Sequence, residues 1–179
     1  DSDSVTVTKP TGVAVGDLLV IVTGQGNANS PSCPGFSVMY NNSNSVRILY
    51  RVADASDVSA SNYTVDSGGT NDSGGAVMLR ITGMTSVHSS QWEQVSVATA
   101  SYDDASSHTL GNSGLTITRP TSSVMLLICW MNAGGGTISS SSWSTYSVTS
   151  GESNPTWTEA ADSNFQIGGA TAGRTLAVA

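Results

Sequence analysis

Apolar and polar positions along this 179-residue chain alternate with a period of two over many short stretches. No stretch keeps the 3.6-residue period of an amphipathic helix, so the pattern predicts strands and almost no helix. Val5-Thr6-Val7-Thr8 alternates apolar and hydroxyl side chains and reads as a strand, ended by Pro10, which cannot donate to a ladder. Leu18-Leu19-Val20-Ile21-Val22 is continuously apolar, which predicts a strand buried on both faces. Residues 24–35 read as a long loop, 36–40 as a strand and 41–45 as a turn. Residues 46–52 alternate well. Val46, Ile48, Tyr50 and Val52 face one way, and Arg47, Leu49 and Arg51 the other. Residues 53–57 read as a turn or a single helical turn, and 63–65 as a strand. Over 75–81, Ala76, Met78 and Arg80 oppose Val77, Leu79 and Ile81. Further strands are predicted over 94–100, 115–118, 124–131, 143–148, 156–159 and 174–178.

One plan occurs twice. Val5-Thr6-Val7-Thr8-Lys9-Pro10-Thr11 returns as Leu115-Thr116-Ile117-Thr118-Arg119-Pro120-Thr121. Each copy leads into an apolar run, 18–22 in one and 124–130 in the other, and each run breaks into Gly and Asn. Leu19 and Leu127 lie mid-run and are expected to be buried. The expectation is one all-β domain over 1–179, with pseudo-repeats over about 5–83 and 115–179. Strands with one apolar face must cover it, which favours a two-layer antiparallel β-sandwich, jelly-roll-like in its repeated order.

Composition refines this picture. Charged residues are only 11% of the chain, and 51 Ser and Thr do the solubilising that charges usually do. The net charge is −7, and the six cations Lys9, Arg47, Arg51, Arg80, Arg119 and Arg174 are scattered. A nucleic-acid surface needs clustered cations, so that partner is rejected, and anionic membranes with it. No apolar run approaches the roughly 20 residues of a spanning helix, so membrane insertion is not expected. Cys33 and Cys129 allow one disulfide or none; Cys129 sits in an apolar run and reads as a small buried hydrophobe, Cys33 lies in a turn.

Candidate chemistry is thin. His88 and His108 are the two histidines, and neither accompanies a Gly-x-Ser-x-Gly elbow; Gly111-Asn112-Ser113-Gly114 does not supply one. Glu93, Glu152 and Glu159 are the glutamates and are dispersed, which argues against a glycosidase carboxylate pair. Asp66, Asp72, Asp103, Asp104 and Asp162 read as turn residues that bond their own backbone. Asp103-Asp104 with His108, or the loop from Asp66 to Asp72, offers oxygen ligands for Ca²⁺, but without EF-hand spacing, and a zinc cluster is missing. Gly134-Gly135-Gly136 follows a strand yet lacks the Lys-Ser/Thr ending of a phosphate loop. Trp143, Tyr146 and Trp157, with Trp130 upstream, read as core plugs before a glycan platform. Asn41, Asn62 and Asn71 begin glycosylation sequons. No catalytic, metal or cofactor residue is assigned, and a binding role without an enzyme activity is expected.

Residues Lys9-Pro10-Thr11-Gly12, Gly16-Asp17-Leu18-Leu19, Pro34-Gly35-Phe36, Tyr50-Arg51-Val52-Ala53, Tyr63-Thr64-Val65 and 75–83 carry a resemblance. Over about 4–85 the chain resembles a β-sandwich module recurrent in structural (decoration and fibre) proteins of tailed phages and in some secreted bacterial proteins. The usual pattern has Trp after the Pro-Gly, where Phe36 stands here. The second half is similar only in its order of elements. The resemblance implies a virion-surface or extracellular structural role, with other virion or filament proteins and further copies of the chain as partners. A carbohydrate-binding or adhesin domain facing a surface glycan, and an extracellular filament subunit, are the other expectations.

Overall fold

A computed structural model describes residues 4–25, 30–42, 46–68, 74–83, 128–131, 161–166 and 173–178. These form nine strands and one short helix. The first half contains β1 (Ser4–Thr8), β2 (Leu18–Gln25), β3 (Ser37–Asn42), β4 (Val46–Val52), α1 (Ala55–Ser59), β5 (Asn62–Asp66) and β6 (Gly74–Ile81). The second half contributes β7 (Ile128–Met131), β8 (Ala161–Gln166) and β9 (Gly173–Val178). The protein is all-β among the described residues, and every strand pair is antiparallel. Three sheets result, ordered β1-β5, β3-β4-β2-β6 and β7-β9-β8.

The four-stranded sheet is built around the apolar run. Leu18, Leu19, Val20, Ile21 and Val22 have no exposed surface, as a central strand covered on both faces requires. Register fixes which side chains share a face. Leu19 lies between Arg51 and Arg80, and Ile21 between Leu49 and Met78. Across this face lies the β1-β5 ribbon, whose Val7 and Val65 join Leu19, Ile21, Leu49, Ala76 and Met78 in one buried cluster. Val13, Cys33 and Ala53 complete it from the connecting segments. The opposite face gathers Leu18, Val20, Val22, Val77 and Leu79, with Met39, Val46, Ile48, Tyr50 and Ile81 packed around them. A fully buried Leu or Val stabilises by about 1.5–3 kcal/mol relative to exposure, so both faces contribute to holding the sheet. β8 and β9 come close to β6.

Several sequence expectations change. The loop expected over 24–35 starts later, because β2 runs on to Gln25, and Ser32 forms a two-way bridge with Asp66. The turn expected over 41–45 starts later as well. Asn41 and Asn42 still pair with Arg47 and Val46, after a bulge between Val38 and Tyr40. No strand was expected over Ala161–Gln166, yet β8 pairs there along β9. Its residues Ala-Asp-Ser-Asn-Phe-Gln show no apolar alternation, so backbone pairing makes the strand. Asp162, read as a turn residue, therefore lies inside β8. Of the strand expected over 124–131, Ile128–Met131 is seen as β7, and Leu127 lies outside the described residues. The expected repeat copy at 115–121 and the strands over 94–100, 143–148 and 156–159 also lie outside them.

Candidate interaction surface

Three arginines occupy the ribbon-covered face of the sheet, and each is tied to a loop crossing that face. Arg80 of β6 donates from Nε to Asp17 Oδ2 at 2.6 Å and from a terminal nitrogen to the Thr11 carbonyl at 3.3 Å. Asp17 also accepts the Ala14 amide at 2.8 Å, so one carboxylate closes the turn and holds the sheet. That backbone hydrogen bond, then Arg80, keeps the Asp17 carboxyl below its ordinary range. Gly12 has φ +74°, and a Cβ there would come 2.9 Å from the Arg80 guanidinium. The turn thus needs glycine for its backbone and for the close approach of the side chain.

Arg51 of β4 makes the second clamp. Its guanidinium contacts Asp54 at 2.9 Å and Asp57 at 3.1 Å, and sits 5.6 Å from the Phe36 ring centre. Gly35, at φ +80°, repeats the Gly12 arrangement, with a Cβ position 2.9 Å from Arg51. Phe36 meets Tyr63 edge to face at 5.4 Å, a favoured aromatic geometry. The Tyr63 hydroxyl donates to Asp57 Oδ1 at 2.6 Å. Burial, then this carboxylate, pushes the Tyr63 hydroxyl well above its ordinary pKa.

Asp57 is the centre of this network and only 1% exposed. It lies in α1, five residues long and too short to persist alone. Caps supply what length does not. Asp54 accepts the amides of Ser56 and Asp57, and Asp57 accepts the Asp54 amide at 2.8 Å, a capping box with Asp in the usual Glu place. The Ser56 hydroxyl, then its amide, holds the Asp54 carboxyl below its ordinary range. Asp54-Ala55-Ser56-Asp57 is the sequence signal that identifies this helix start.

Arg47 donates to the Pro31 carbonyl at 2.7 Å, and its buried Nε has no partner. Lys9 donates from Nζ to the Val58 carbonyl at 2.6 Å and from its amide to Ser61. Four of the six cations are thus fastened to backbone or carboxylates of the first half. Cys33 is a free thiol, buried in the core although expected only in a turn, and burial raises its pKa. The turn is present as well, since the Phe36 amide donates to the Cys33 carbonyl.

These groups can fasten loops, and each carboxylate named is already held by amides, hydroxyls or arginine. Asp66, expected in a turn, accepts the Gly68 amide at 2.7 Å. Among the described residues no group of three or more His, Cys, Asp and Glu is placed to hold a metal. His88, His108, the three glutamates, Asp72, Asp103, Asp104, Asn71, Gly134 to Gly136, Trp143, Tyr146 and Trp157 lie outside the described residues. Cys129 and Trp130 lie in β7, and Arg174 in β9.

What the first half offers to a partner is its surface. The outward face of the ribbon is polar: Ser4, Thr6 and Thr8 stand opposite Asp66, Thr64 and Asn62. Of the four exposed valines among the described residues, Val38 lies within β3 and the other three are at one end of the four-stranded sheet. Val15 (68% exposed) sits in the turn whose Gly16 and Asp17 bond Ala53; Val52 precedes Ala53, and Val58 follows in α1. No family model, curated protein or solved structure matches the chain.

Proposed function

We propose that this protein is a non-enzymatic structural module displayed on a phage-like particle, as a capsid decoration protein or a fibre module. In this reading the chain is a single two-layer β-sandwich, jelly-roll-like, with its plan used twice. It acts at the virion surface or outside cells and contacts other particle proteins and further copies of itself.

One observation carries the reading. Several of the residues on which the resemblance rests meet at the two arginine clamps. Thr11-Gly12 and Asp17 meet Arg80, while Gly35-Phe36 and Tyr63 meet Arg51 and its carboxylates. Residues spent on fastening turns suit a scaffold that must persist while presenting its surface.

Gold-conjugated antibody against the full chain, applied to particles purified from a lysate of the host that encodes it, tests the proposal. Label on capsids or fibres is the expected result. Chain found only in the particle-free fraction, assembled into open filaments under negative stain, would overturn it. So would glycan-array binding by the purified chain that disappears on Trp143→Ala.

A further inference from the structure

We draw no further inference here: the strongest candidate, the exposed valines Val15, Val52 and Val58 at one end of the four-stranded sheet, is an apolar patch for which nothing in the structure shows what covers it.

Discussion

The two faces of the four-stranded sheet are built differently around the same strand. One face holds Leu18, Val20, Val22, Val77 and Leu79 with further apolar side chains around them. The other has Leu19 and Ile21 at its centre but places Arg51 and Arg80 directly beside Leu19, and Arg47 beside Thr23. The apolar face asks only for area and fit, and exchanges of similar volume satisfy it. The clamped face asks for particular partners, because a guanidinium brought under a loop must find acceptors there. Turn glycines, capping aspartates and an aromatic pair belong to that second requirement. The turn glycines Gly12 and Gly35, the capping box and the aromatic pair therefore gather on one face of the sheet.

The largest effect is expected where the clamp is most buried. Asp57→Ala removes the acceptor of the Tyr63 hydroxyl and the Asp54 amide and takes one carboxylate from Arg51. Breaking such a buried pair should cost about 3–5 kcal/mol in denaturant unfolding. A loss below about 1 kcal/mol would mean that α1 is fastened by other contacts.

Leu18→Ala and Leu19→Ala probe the faces in turn, since both residues are fully buried, one on each side. Each should cost about 2–5 kcal/mol from lost transfer energy and the cavity left behind. Similar losses would show that the faces are equally well packed and differ only in their polar fastening. A negligible loss for Leu18→Ala alone would mean that the apolar face collapses around the gap.

Much of this sheet was legible in the sequence. Alternation over 46–52 and 75–81 gave both strands and the side to which Leu49, Met78 and Leu79 point, because side-chain direction follows from a period of two. The clamps were not legible. Arg80 and Asp17 lie 63 residues apart, and scattered cations look alike whether solvated or pinned under a loop. Cys33 looked like a turn residue because its neighbours are Pro, Ser and Gly, while its burial depends on the ribbon laid across the sheet. β8 escaped because its pairing with β9 rests on backbone hydrogen bonds that six mostly polar residues do not advertise. For the candidate surface, Asp54 and Asp57 carry a readable capping signal, while the small polar residues over 53–57 suit a turn as well as a helical turn.

Smaller effects separate the faces further. Gly12→Ala forces a positive φ on an L side chain and crowds Arg80. It should cost about 1–2 kcal/mol, read as a lowered denaturant midpoint. A neutral result would show that the arginine gives way freely.

Acid should act selectively on the clamped face. Asp17 and Asp54 have folded pKa values below their ordinary ones. Their contribution is complete above the ordinary carboxylate range of about 4 and is lost as pH falls through the lower folded values. Thermal midpoints should therefore drop on acidification in the parent, and less steeply in Asp17→Asn. Parallel curves would remove Asp17 from the account. Tyr63, raised instead, contributes stability below its ordinary value of about 10 that is lost as pH rises beyond it.

Native-state hydrogen exchange on Arg51→Leu tests most directly whether the guanidinium couples the Phe36 turn to α1. The Phe36 amide bonds the Cys33 carbonyl, and the Ala60 amide bonds the Ser56 carbonyl, on two separate segments. Both amides should lose protection together in the variant, while those of Val20 and Ile21 in β2 keep theirs, because local opening leaves the central strand intact. Unchanged protection at Phe36 and Ala60, or a loss spread evenly into β2, would contradict the clamp.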